Sequence, residues 1–380
     1  MRIALMYAVL AFLAFPLAAL ADRIAKQLPV TAGQTFEIDL KTGGSLAIHG
    51  SDGNTADVTV ERDDSDVAGT EVVVEPTASG GVRLATRFVG RKTTYSSNLR
   101  VEVRLPRRFN VQLHSAGGVV HLDGLEGDFK GLSMGGKLEL DNLRGTADLK
   151  TLGGDIQVTS SQLSGKVSTN GGNVVLDGVE GGLQGHSLGG QVTRHNVRSG
   201  KEPAAGSAAD AVVMSSMGGQ LHVDEAPNGA ELKTMGGNVL VRSANRFVKA
   251  LTMGGDILIE RVDGRVDATT MAGDVAVTVA GDGPPGSHAV HLVSNAGELR
   301  LAVPANLPMD IDVQLFYTRD SKRSYRVHSD FPLKIDESAE WDTSHGSPRK
   351  LIHATGRQGA ATQRIELRTI NGDVYITRAK

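Results

Sequence analysis

The sequence predicts an all-β protein: a single parallel β-solenoid (β-helix) with 18-residue coils, capped by less regular strands at both ends. Three observations carry this expectation. A Gly-Gly pair recurs on a fixed beat, its second glycine at Gly118, Gly136, Gly154, Gly172 and Gly190, then at Gly219, Gly237 and Gly255, with the same slot at Gly273. Two and four residues after that glycine the side chain is almost always aliphatic, with polar residues between, as in Leu138 and Leu140, Ile156 and Val158, Val174 and Leu176, or Val239 and Val241. Composition points the same way: 47 glycines, only 4% aromatics and few amphipathic runs outside the N-terminus argue against a helical bundle or a doubly wound sheet.

Each element follows from that beat. The alternation after the glycines has period two, which buries one face of a strand and wets the other. A second short strand points inward through residues such as Ala147, Leu149 and Thr151, or Val266, Ala268 and Thr270. A unit of two short strands cannot satisfy its own backbone or bury its own apolar face, so successive units must stack, with equivalent strands about 4.8 Å apart. The glycine pair reads as a reversal of chain direction that demands positive φ. Ala272 replaces the first glycine of the last pair, which assigns the stricter requirement to the second position.

The chain divides into residues 1–21, a signal peptide; 22–115, N-terminal strands and cap; 116–303, the regular 18-residue repeat, with an insertion near 197–215; and 304–380, C-terminal strands and cap. Arg2, the apolar stretch from Ile3 to Leu20 and the Ala19-Leu20-Ala21 site predict export with cleavage after Ala21. An uncleaved anchor is the competing reading, and Pro16 together with the small-residue site favours removal. No later segment is apolar enough to span a membrane as a helix, so no transmembrane domain is expected after signal removal. The absence of cysteine excludes disulfides, thiolate metal sites and a lipoprotein anchor. Net charge is −3 with both signs interspersed, which excludes a nucleic-acid partner. The expected location is periplasmic or secreted.

Glycine followed by Asp or Asn and alternating aliphatics, as in GGDIQV, GGNVVL, GGDILI, AGDVAV and the terminal NGDVYI, resembles the bacterial putative-adhesin family of β-strand-repeat domains of unknown function. The resemblance extends over roughly residues 35–380. It implies an envelope protein and brings no catalytic residues with it. Lys137, Gln191 and Gln220 stand where the family motif has Asp, which puts a family-wide role for that aspartate in doubt.

Candidate chemistry is sparse. Calcium-binding β-rolls need two glycine turns per 18 residues with an acidic residue in each, whereas here Asp155, Asp256 and Asp274 alternate with Asn173, Asn238, Gln191, Gln220 and Lys137, so turn-forming Asx residues are the better reading. Methionine or leucine precedes the glycines at Met134, Leu152, Leu188, Met217, Met235, Met253 and Met271. Corner packing explains that column better than copper binding. The Ser/Thr column before it, from Ser133 to Thr270, should face inward as a hydroxyl ladder. No metal-ligand spacing, catalytic triad or phosphate loop stands out, and no cofactor is expected.

Two features mark a possible partner surface. Arg194 takes an inward slot that is otherwise aliphatic, either on a bulge or reaching a partner in the insertion. Val175, His222, Leu240 and Leu258 lie on an outward column that turns apolar, either covered by the flanking segments or open to a partner. The function expected is therefore non-enzymatic, adhesin-like binding or scaffolding toward an envelope or cell-surface protein or glycan. Self-assembly into a structural polymer is the first alternative, and a glycan-active enzyme the second.

Overall fold

The computed structural model describes residues 22–62, 69–89, 98–196, 211–281, 287–321, 323–344, 346–360 and 363–379. The expected signal peptide, residues 197–210 of the expected insertion, and the Pro284-Pro285 pair lie outside the described residues. Among the described residues there is no helix, and every strand belongs to one 31-stranded sheet.

The expectation of a single parallel β-solenoid with uniform coils is corrected by this sheet, which is of mixed orientation and wraps nearly closed around one core. Asp22–Pro29 runs antiparallel to Thr55–Arg62, which runs antiparallel to Arg100–Pro106. Thr70–Pro76 is antiparallel to Val82–Phe88, and Met309–Thr318 to Arg349–Gln358. The physical reason is local at the first hairpin. Residues 77–81 close it through Thr77 N–H to Gly81 O and Gly80 N–H to Thr77 O, and so short a connection can join only antiparallel neighbours. Strand lengths also vary. Leu138–Asp141 has 4 residues, whereas Val239–Thr252 and Ile257–Thr270 have 14 each and carry the sheet around a corner without interruption.

Between these ends the pairings are parallel and follow the glycine beat. Leu138 lies beside Ile156, Ile156 beside Val174, and Val174 beside Val192. Val192 then pairs with Leu221, so the extra residues before Val212 leave the ladder in register. Leu299 pairs with Val374, which makes the chain between them a long excursion that returns through the terminal NGDVYI strand. A second ladder, through Phe129, Ala147 and Gly165, faces the first. Side chains such as Leu140, Leu149, Val158 and Val167 fill the space between the two, all at 0–1% exposure.

The turn glycines have a different cause from the one expected. From Gly136 to Gly273 the second glycines are not in the left-handed region; only Gly118 is, at φ +93°. They are required because the stacked backbones nearly touch. A Cβ on Gly172 would lie 2.2 Å from Gly154 O, and one on Gly237 2.1 Å from Gly219 O. The first glycines are free of this contact: nothing lies within 4 Å of a Cβ at Gly135. Left-handed backbone instead recurs six residues further on, at Gly124 (68°), Asn142 (51°), Ser160 (48°), Gly178 (63°) and Asn196 (47°), mostly Gly and Asn, which tolerate it.

Two polar ladders lock the turns. From Thr151 to Thr252 each Ser or Thr hydroxyl of this column accepts the N–H of its own second glycine and donates to the carbonyl of the previous one. Thr252, for example, accepts from Gly255 N–H at 3.2 Å and donates to Gly237 O at 2.9 Å. The Asx side chains after the glycines accept backbone N–H groups from the next rung, as in Asn173 N–H to Asp155 Oδ1 at 2.7 Å and Asp274 N–H to Asp256 Oδ1 at 2.9 Å. Asp and Asn serve equally there because each presents the same acceptor oxygen.

Candidate functional site

The outward wall brings together four of the residues expected at a partner surface. Val175, Thr193, His222, Leu240 and Leu258 occupy consecutive rungs of one column. Val175, His222 and Leu240 are half-buried among their neighbours, while Leu258 is 42% exposed and open to water.

Arg194 does not join them. It points inward at 3% exposure. Its Nη2 donates to Val179 O at 3.0 Å and Gly181 O at 3.4 Å, and its Nη1 to Leu183 O at 3.3 Å. In earlier rungs the equivalent carbonyls of Leu125, Leu143 and Ser161 receive the backbone N–H of Arg144, Gln162 and Glu180. The guanidinium supplies at Val179 the donor that a backbone N–H supplies elsewhere. Burial pushes its pKa down to about 10.

Beside the column, Asp224 accepts a hydrogen bond from His195 Nδ1 at 2.7 Å and lies 3.0 Å from His222 Nε2 and 3.5 Å from Arg242. Burial opposes ionisation of Asp224, but the bond from His195 and the charges of His195, His222 and Arg242 outweigh it and hold the carboxyl below its usual range. This cluster is a fixed anion clamped by three basic side chains. In sequence His195, Asp224 and Arg242 share one outward position that reads as an ordinary solvated face; the structure sets them on three adjacent rungs, His195 before the insertion and the others after it, and adds His222 to the cluster.

The methionine and leucine column is also placed differently from the expectation. Met134, Leu188, Met217, Met235, Met253 and Met271 are 45–51% exposed. They do not pack into a corner; they form an apolar ridge along the turn edge, since each projects outward next to glycines that offer no side chain to cover it.

A concavity lined by aromatic and basic side chains lies in the C-terminal excursion. A cleft of about 650 Å³ is walled by Tyr317, Tyr325, Trp341 and Ile335, with Arg319, Arg323 and Arg326 at its margin. Tyr317 and Trp341 meet edge to face at 5.7 Å, and Lys350 Nζ stands 5.4 Å from the Trp341 ring centre. Tyr317 Oη donates to Glu337, which pushes the phenol pKa up to about 12 and keeps the ring neutral and fixed. Ile335 is 51% exposed. Arg323 lies 3.9 Å from Asp373, and aromatic faces beside guanidinium groups suit a ligand with flat or weakly polar faces and negative charge. The available sequence signal was the chain's only tryptophan, lying in its least repetitive stretch.

No family model matches the chain, and no curated protein matches it. Solved structures do. A protein from Parabacteroides distasonis is 14% identical, with 75% of this chain covering 98% of that one at a TM-score of 0.36. Proteins from Parabacteroides merdae and Bacteroides fragilis are 12% and 15% identical, each covered by 74% of this chain over 95% and 97% of their own lengths, with TM-scores of 0.31 and 0.29. All three are described as putative adhesins. Among the described residues, no helix is long and apolar enough to cross a membrane.

Proposed function

We propose that this protein is a non-enzymatic, exported binding protein of the bacterial envelope that holds a surface macromolecule in the C-terminal cleft. The observation that carries this reading is the cleft itself, where Trp341 and Tyr317 form an aromatic corner at 5.7 Å beside Arg319, Arg323 and Arg326. An anionic glycan chain fits that chemistry best, because sugar rings stack on aromatic faces and acidic groups pair with guanidinium forks. The long in-register wall serves as the stalk that presents the cleft, and the adhesin-like reading of the glycine-Asp motif agrees with such a role.

Trp341 is the only tryptophan, so its fluorescence reports the cleft alone. Titration with an acidic polysaccharide is expected to change its emission saturably, with the effect weakened by salt. Arg323→Ala combined with Arg326→Ala is expected to weaken binding about tenfold or more, since charge-assisted bonds contribute about 1.5–3 kcal/mol each. A neutral polysaccharide that binds as well as the acidic one would contradict the charge assignment, and an unchanging signal with both would contradict the cleft.

The exposed ridge from Leu188 to Met271 favours a second reading, lateral self-association, because flexible thioether side chains adapt to many apolar surfaces. It is distinguished from the first by location, since it lies on the turn edge and not in the cleft.

A further inference from the structure

Two imidazoles and a carboxylate stand together on the outward wall near its N-terminal end, apart from the cleft. His49 lies on Ser45–Ser51, directly opposite Asp123 in a parallel ladder. His121 is two residues before Asp123 on Val120–Asp123 and therefore projects from the same face. Among the described residues this is the one trio of such donors in which a ligand atom from each lies within 4.8 Å of the other two. His49 Nδ1 is 3.6 Å from Asp123 Oδ2, and the imidazole centres are 5.6 Å apart. On the next rung Asp141 is the register partner of Asp123, and its Oδ2 is 3.5 Å from His121 Nδ1. Glu139 is 3.6 Å from the same nitrogen but is held by Lys137 Nζ at 2.7 Å.

We propose that His49, His121 and Asp123 form a binding site for a divalent transition-metal ion of the borderline class, Zn2+ or Cu2+, with Asp141 orienting the His121 ring from outside. Two imidazole nitrogens and one carboxylate oxygen select this class over Ca2+ or Mg2+, which require oxygen donors. A carboxylate beside the second nitrogen of a ligating histidine fixes the ring and raises its basicity. The backbone under all three ligands is already locked by the ladder. Bonds of about 2.0–2.2 Å to one ion therefore require only rotation of half-exposed side chains. Open sides leave further positions for water.

The other histidine pair shows what such a site does not look like. At His195 and His222 the Asp224 carboxylate sits between the rings, engaged by each through a different oxygen, and Arg242 places a positive charge 3.5 Å from it. A cation would have to displace those contacts against that charge. This pair serves as the internal control.

Isothermal titration of the tag-free chain with Zn2+ is expected to show one ion per molecule. Replacing His49 and His121 together by Ala should weaken binding at least about tenfold, in line with the loss on removing even an outer partner. His195→Ala with His222→Ala should leave it unchanged. The electron paramagnetic resonance spectrum of the native chain loaded with Cu2+ should show two coordinated nitrogens, a readout that does not depend on any variant folding. The proposal is overturned by absence of saturable Zn2+ binding, by equal affinity in the His49/His121 variant, by loss in the His195/His222 control alone, or by a Cu2+ spectrum without imidazole nitrogen.

Discussion

Gly237→Ala is expected to destabilise the protein by about 3 kcal/mol, at the upper end of the overpacking range, while Gly236→Ala one residue away changes stability by less than about 0.5 kcal/mol. The two substitutions add the same methyl group. At Gly237 it would lie 2.1 Å from Gly219 O, 2.4 Å from Gly219 C and 2.8 Å from Gln220 N, all of them backbone atoms of the rung beneath. That rung cannot yield without disturbing the Thr252 hydroxyl, which donates to Gly237 O at 2.9 Å, and the Thr234 hydroxyl, which donates to Gly219 O at 3.0 Å. At Gly236 the nearest atoms are 3.7 Å or more away, an ordinary contact, and Ala272 already occupies the corresponding slot. Urea denaturation followed by far-ultraviolet circular dichroism measures both. Equal losses from the two substitutions would show that turn conformation, and not contact between rungs, sets the glycine requirement.

Arg194→Ala is expected to cost about 3 kcal/mol, the sum of a cavity and of carbonyls left without donors, reduced by relief of a buried charge. The three carbonyls concerned, Val179, Gly181 and Leu183, lie where parallel pairing thins out. The ladder toward the next rung resumes only at Gly185, opposite Met214. Arg194→Leu separates the two contributions. Leucine matches the aliphatic residues above and below, Leu176 and Val223, and so restores volume without restoring a donor. The expected order of stability is native, then Leu, then Ala. A Leu variant as stable as the native chain would mean that the carbonyls need no donor from residue 194.

Much of the architecture was legible because its causes are local and repeated. The aliphatic alternation at Leu138, Leu140, Ile156 and Val158 placed the inward faces, and the terminal NGDVYI placed Val374 as a further rung even though 75 positions separate it from Leu299. Mixed orientation was not legible, since strands such as Thr55–Arg62 and Arg349–Gln358 alternate in the same way whichever direction their neighbours run. Nor was the left-handed column, because Gly124, Asn142, Ser160 and Gly178 share a conformation but not a residue type.

The site was less legible than the fold. Exposure of the methionine ridge depends on what the turn leaves uncovered, which periodicity does not report. The Tyr317–Trp341 corner joins the strand Met309–Thr318 to a loop through an excursion with no repeat to align it. Arg194 was recognised as exceptional from its slot alone, yet its partners were sought in the insertion, whereas they are backbone carbonyls of its own turn.

The register on which the wall, the ridge and the histidine trio all depend can be tested by cross-linking, since the chain contains no cysteine. Gln157 and Val175 are register partners on adjacent rungs, about 4.8 Å apart by strand spacing and within disulfide reach. Thr193 is one rung further, at about 9.6 Å from Gln157 by the same spacing, beyond that reach. Oxidation of the Gln157→Cys, Val175→Cys variant should yield a complete intramolecular disulfide, measured by loss of maleimide labelling, and the Gln157→Cys, Thr193→Cys variant should stay reduced. Efficient closure of the second pair, or none of the first, would contradict the arrangement described.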